Sequence, residues 1–256
     1  MTEEILQYNV ADGVATLVMN RPEKRNALNG ALIGAIVEGL IRAGQDREVS
    51  VIVLTGAGTD FCAGADLEEL ERITSLGPEE SLEDALDLGD LFVRMRRHPK
   101  PIVAAVRGRA LAGGCGLATA SDLIVAEEGA EFGYPEVHLG FVPAMVMAIL
   151  RRKVGESQAF GLVAGGERIS AARAAEMGLV DRVFPTATFN EEAESYVNRL
   201  AEKPGSAIEL SKRLLYDLDG LSFEDGIKRG ADVNVMARMT EACREGVRRF
   251  LARRKE

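Results

Sequence analysis

Residues 101–126 read PIVAAVRGRALAGGCGLATASDLIVA, and their pattern decides the fold. Ile102–Val106 is five apolar residues with no alternation, the mark of a strand covered on both faces. Residues 108–116 form a glycine-rich loop that leads into a short helix. Residues 123–126 return as a second apolar strand. Strand, loop, helix and strand in that order belong to an α/β fold.

The same unit stands one step upstream. Residues 49–54 read as a buried strand, and residues 56–66 are a second glycine-rich loop. The acidic, amphipathic segment 67–97 follows as two helices divided near Gly77-Pro78, and Pro99 and Pro101 stop it. Earlier still, apolar runs at 5–10 and 14–19 flank Asp12-Gly13, a hairpin signal because glycine accepts the positive φ of a tight turn. Asn29 is placed to cap a helix to about Ala43, with Leu32, Ile36, Leu40 and Ile41 on one face. Downstream, residues 130–132 and 180–184 read as strands. Residues 143–153, 156–163 and a stretch from Ser170 to Gly178 read as helices. Beyond about Phe189 the pattern is helical to the end. The expected organisation is an α/β core over residues 1–190 and a helical region over 191–256, with no internal repeat.

Composition narrows the partners. The 256 residues carry a net charge of -9, so neither nucleic acid nor a membrane surface is an expected partner, since both attract basic faces. Cys62, Cys115 and Cys243 form no CxxC pair, which suggests neither a zinc cage nor a disulfide framework and points to a reducing cytoplasm. The N-terminus lacks the basic-then-apolar order of a signal peptide. Arg107, Arg109 and Asp122 interrupt the most apolar stretch, so no membrane span is expected.

The two glycine-rich loops carry the chemistry. Each follows a buried strand and opens a helix, whose N-terminus presents unpaired N–H groups and partial positive charge. If the loops converge, they supply two N–H donors to one oxygen, an oxyanion hole. The same spacing also serves a plain strand-to-helix turn. A dinucleotide site is disfavoured, because Gly114-x-Gly116 lacks the third small residue and no acidic residue follows about 20 positions on.

Several blocks, in order, resemble the enoyl-CoA hydratase/isomerase (crotonase) family. Asn20-Arg21-Pro22-x-Lys24-x-Asn26-Ala27-Leu28-Asn29 looks like its N-terminal signature. Residues 61–67, FCAGADL, and 112–118, AGGCGLA, resemble its two oxyanion loops. Residues 132–140, FGYPEVHLG, match the block holding a catalytic carboxylate. Arg168-Ile169-Ser170-Ala171 through Gly178-Leu179-Val180 and Glu245-Gly246 with Phe250 match later blocks. The resemblance implies a spiral of ββα units, a helical C-terminal region packing between subunits of a homotrimer or homohexamer, and an acyl-CoA thioester substrate. It implies no cofactor, coenzyme A being part of the substrate, and no metal. It places the thioester oxygen on the backbone N–H groups of Ala65 and Gly113. It places coenzyme A near Lys24, Ala27, Leu28, Ala63, Asp66 and Leu67, with Lys212 and Phe250 contributed by the helical tail.

One departure matters. Two-carboxylate hydratases of the family carry a glutamate where this chain has Gly116, and a second at Glu136, which is present. A single carboxylate can shuttle a proton in hydration of a 2,3 double bond or in double-bond isomerisation, and it needs a pKa raised toward neutrality. Hydration is the expected reaction; isomerisation, a methylglutaconyl-CoA hydratase-like activity, hydrolysis or decarboxylation are alternatives, as is a protein that binds acyl-CoA without chemistry. His138, two residues on, reads as structural, and His98 as solvated. Cys115 reads as a buried thiol, with no base beside it for a nucleophilic role.

Overall fold

The structure is a computed structural model and describes residues 4–253. The chain opens as the expected hairpin. Strands β1 (Leu6–Ala11) and β2 (Val14–Met19) pair antiparallel, and Asp12 and Gly13 between them take φ of 49° and 78°. Two successive positive φ values make the two-residue turn whose twist matches that of the strands. Helix α1 (Gly30–Gln45) starts where Asn29 accepts the Leu32 N–H at 2.9 Å. It buries Leu32, Ile36, Leu40 and Ala43. Ile41 lies off that face and is 47% exposed, because it stands about 100° around the helix from Leu40.

The chain continues through β3 (Val51–Gly56), α2 (Leu67–Ile73), α3 (Pro78–Arg97), β4 (Ile102–Val106), β5 (Arg109–Leu111), α4 (Gly113–Ala120), β6 (Leu123–Glu127) and β7 (Glu131–Gly133). Helices α5 (Ala144–Val154) and α6 (Glu156–Gly165) follow, then β8 (Arg168–Ser170), α7 (Ala171–Glu176) and β9 (Arg182–Phe184). The chain ends in α8 (Phe189–Ala201), α9 (Gly205–Asp217), α10 (Phe223–Met239) and α11 (Glu241–Arg253).

These strands build two sheets. The larger has the order β1-β2-β3-β4-β6-β9 and is parallel from β2 onward; the smaller is β5-β7-β8. Each turn of the chain gives one strand to the large sheet, the next to the small one, and then helix: β4-β5-α4, then β6-β7-α5. This is the ββα spiral. A single bridge between Cys62 and Ala110 repeats the pattern after β3. Strands β5 and β8 are three residues each, too short to show a hydrophobic period; sequence patterning gives the first as part of a loop and starts a helix at Ser170, the last residue of the second.

Both faces of the large sheet are covered, which explains why β3 and β4 are apolar without alternation. One face joins the main core with Leu32, Ile36, Phe92 and Leu117. The other presents Val51, Val53, Val103, Ala105 and Val125 to Phe189, Ala193 and Val197 of α8. By packing, α8 therefore belongs with the α/β core, while α9, α10 and α11 extend from it. No helix among the described residues is long and apolar enough to cross a membrane.

Candidate active site

Because β2, β3, β4 and β6 run parallel, the loops that follow them leave one edge of the sheet, where sites of open α/β sheets form. Buried polar contacts lock these loops together. Asn26 is fully buried; its side-chain oxygen accepts the Arg21 N–H at 2.9 Å, and its amide donates to the carbonyls of Ala57 (2.9 Å) and Asp60 (2.8 Å). Asp60 takes two bonds from the Arg109 guanidinium, at 2.7 and 2.8 Å, and one from its backbone N–H at 3.0 Å. Those contacts hold the Asp60 carboxyl below the usual range even though burial works against them. Arg21 bonds Asp66 and the Ala27 carbonyl, both at 2.5 Å.

The two glycine-rich loops converge. Leu28 bridges to Ala65, taking the Gly64 carbonyl and the Asp66 N–H. In extended chain successive N–H groups point opposite ways, so the Ala65 N–H is directed away from Leu28. Across from it, Gly113 is the first residue of α4, whose leading N–H groups have no partner inside the helix. Among the described residues, neither N–H donates to a backbone carbonyl. Gly64 touches the second loop: a Cβ on it would stand 3.0 Å from Ala112 Cβ. Gly114 has to be glycine, since a Cβ there would overlap the Cys62 carbonyl. Ala112, immediately before the donor, is held at φ 48°, a costly conformation for a residue with a side chain. Of the four described non-glycine residues with positive φ, Arg25, Asn26 and Ala112 all border this site.

Glu136 comes to the same place by register. β5 and β7 are parallel neighbours with Leu111 opposite Gly133, so Gly113 and Glu136 emerge from the same end two and three residues later. Pro135 starts a short 3-10 turn over Pro135–Leu139 that presents the carboxylate. Its Oε2 is buried with no hydrogen-bond partner among the described residues. Burial pushes the carboxyl above its ordinary value of 4.5, against the pull of its own backbone N–H. The charge reaches Cys115 in the second loop, whose thiol burial raises to about 11; Cys62 is raised to about 12. Neither thiol is ionised near neutrality, and nucleophilic chemistry is not supported at either. Beneath Glu136, the buried hydroxyls of Tyr134 and Thr119 share a bond of 2.7 Å.

The other expected residues divide. Lys24 lies 3.9 Å from Asp66 and 3.0 Å from Glu68 at the mouth of the first loop. Ala63 is tied to it through the Arg25 carbonyl at 3.0 Å, and Ala27 and Leu28 are buried behind. Asp66 caps α2 through the Glu68 N–H at 3.2 Å. The side chain of Leu67 lies outside the described residues. Lys212 is elsewhere: its buried ammonium bonds Asp122 at 2.7 Å and the carbonyls of Met95 and Lys100 at 3.0 and 3.1 Å, at the opposite edge of the sheet. Phe250 is exposed on α11. His138 bonds the Gly166 carbonyl at 3.2 Å, and His98 is buried against the Leu40 carbonyl at 3.0 Å rather than solvated.

Gly116 stands in the first turn of α4, three residues from Gly113 and so on the same helix face. A Cβ there would lie 2.8 Å from Cζ of Phe92, a residue of α3 that is 3% exposed. The ring occupies the volume a side chain at 116 would need. Sequence reasoning did not assign roles to Phe92, Arg21 or the Asp60–Arg109 pair. Phe92 carries no local signal; Arg21 lies inside the quoted signature, and Asp60 and Arg109 inside the loops.

Comparison with known proteins shows the family. The profile of the enoyl-CoA hydratase/isomerase family matches residues 9–256. The chain is similar to the 2,3-dehydroadipyl-CoA hydratase of Escherichia coli, 37% identical over 94% of this chain and 93% of that one. It is also similar to the 1,2-epoxyphenylacetyl-CoA isomerase of the same organism, 32% identical over 99% and 97%. An enoyl-CoA hydratase structure from Mycobacterium smegmatis superposes with a TM-score of 0.93 at 31% identity, covering 98% of this chain and 97% of that one.

Proposed function

The chain belongs to the enoyl-CoA hydratase/isomerase family and is an acyl-CoA-processing enzyme, and on that premise we propose that it adds water across the 2,3 double bond of an enoyl-CoA through Glu136 alone. The observation that carries this reading is the buried, unpartnered Oε2 of Glu136. A buried polar atom without a partner is rare and calls for a reason. Here the reason is a proton to be carried. The carboxylate takes a proton from water as the hydroxyl bonds to C3, and the same proton passes to C2. Negative charge builds meanwhile on the thioester oxygen, held by the Ala65 and Gly113 N–H groups, each worth roughly 3–4 kcal/mol to the transition state. Lys24 faces the phosphates of coenzyme A, and no cofactor beyond the substrate is required.

Isomerisation of a 3-enoyl-CoA is the second reading. It is favoured by Gly116 and Phe92, which leave no second carboxylate in the place a side chain at 116 would fill. The test is absorbance at the conjugated thioester band, with crotonyl-CoA and 2,3-dehydroadipyl-CoA as separate substrates in 18O-labelled water. Loss of the band with label in the product supports hydration. Appearance of the band from a 3-enoyl-CoA, with no hydration of either ester, moves the assignment to isomerisation. Binding without turnover on any of them rejects both reactions.

The assembly proposed is a homotrimer or a pair of trimers in the cytoplasm. It accounts for the exposed apolar side chains Phe223, Ile227, Met239 and Leu251 on α10 and α11. Phe250 then belongs to a neighbouring subunit's site.

A further inference from the structure

We infer that Phe92 sets the length of acyl chain this site accepts, by closing the catalytic chamber off from a second cavity between α3 and α5. The inference rests on the acyl-CoA reading of the site. It begins with geometry: Gly116 shares a helix face with the oxyanion donor Gly113, one turn below it. The family resemblance puts a catalytic glutamate of two-carboxylate hydratases at this position, so on the acyl-CoA reading the acyl group lies beside Gly116. At Gly116 the missing side chain is replaced by the tip of the Phe92 ring, 2.8 Å from where a Cβ would be.

Phe92 also lines an open cavity of about 770 Å³, with Leu86, Met145 and Ile149 among its apolar lining residues and Arg96 and Arg152 among its charged ones. That volume falls in the range that holds a drug-sized ligand. Phe92 therefore meets Gly116 at the tip of its ring and also borders the cavity. α3 packs against α5 at Gly89, where a Cβ would be in van der Waals contact with Met145 Cγ at 3.5 Å, and Phe92, one turn further along α3, stands between Gly116 and the cavity. A short acyl group ends at the ring. A long one has to displace it, and each methylene that a pocket cannot house costs about 10-fold or more in discrimination.

The test compares two unreactive ligands, butyryl-CoA and decanoyl-CoA, by calorimetry on the native protein, Phe92→Ala and Phe92→Leu. Turnover of crotonyl-CoA and 2-decenoyl-CoA is measured beside it. The expected result is that the ratio of decanoyl-CoA to butyryl-CoA affinity rises at least tenfold in Phe92→Ala and by a smaller factor in Phe92→Leu, with the kcat/KM ratio moving the same way. Should Phe92→Ala fail to fold, Phe92→Leu decides, since it keeps an apolar side chain in the core. If the native protein binds both ligands and the ratio stays within twofold in the folded variants, the assignment of Phe92 is overturned while the acyl-CoA site stands. If the native protein binds neither ligand, the acyl-CoA reading falls and this inference with it.

Discussion

Two carboxylates at opposite edges of the large sheet show how burial serves different ends. Asp122 sits at the N-terminal edge and is saturated. It accepts the Ile102 N–H at 2.7 Å, the Lys212 ammonium at 2.7 Å and the Tyr216 hydroxyl at 2.5 Å. Burial holds the Lys212 ammonium below its ordinary value even with the aspartate beside it, and burial and the aspartate together push the Tyr216 hydroxyl well above. Glu136, at the C-terminal edge, is half-buried and has one oxygen with no partner. A saturated carboxylate is a structural joint, tying α9 to the strand edge. An orphaned one costs stability and is retained where a proton has to move. The comparison also explains why Lys212, expected at the substrate, is not there: its donors are spent on Asp122 and two carbonyls.

The comparison breaks most visibly in stability. Asp122→Ala leaves Lys212 buried without its counter-charge and should cost roughly 3–5 kcal/mol in urea unfolding, whereas Glu136→Gln should cost nothing. Equal losses in the two variants would remove the distinction. Asn26→Ala should come next, at about 2–3 kcal/mol, because it strands the buried carbonyls of Ala57 and Asp60. Its kcat should also fall as the first loop loosens, and a variant of native stability would show that Asn26 does not hold the loops.

The smallest effect is in pH dependence, and its sign follows from the raised Glu136 value. The folded protein gives up this proton at higher pH than the unfolded chain does. The stability contributed by the protonated form is therefore complete below the unfolded value and is lost as pH rises through the folded one. Glu136→Gln carries no such loss. Its Tm relative to the native protein should improve as pH rises above the ordinary glutamate value, and a constant difference would contradict the burial described for Glu136. The acid limb of kcat/KM should lie above that of an ordinary glutamate for the same reason.

Much of this was legible in the sequence, and the part that was not has a physical cause. The Asp12-Gly13 hairpin, the Asn29 cap and the break at Gly77-Pro78 are local signals, and the structure has each of them. Strands β3 and β4 announce themselves because burial on both faces removes alternation. Strand β5 and the first turn of α4 do not, since Gly113, Gly114 and Gly116 disfavour a helix that only packing against Cys62, Phe92 and Leu28 makes compact. The two loops were legible as glycine-rich turns, and the family resemblance implied which N–H groups they would offer. Phe92 was invisible, since its importance comes from Gly116, 24 positions away, and only the fold brings the two together. Lys212 was misplaced for a similar reason: a lysine in a helical tail carries no mark of the aspartate that will bury it.

The central claim is that one unpartnered carboxylate, under two backbone donors, moves the proton. Its most direct test is Glu136→Gln, with crotonyl-CoA turnover and butyryl-CoA affinity measured on the same preparation. The account predicts a fall in kcat of at least about 100-fold, the lower end of what a positioned acid/base supplies, with butyryl-CoA affinity within a few-fold of native. Turnover close to native with unchanged binding would contradict it and place the proton transfer on some other group.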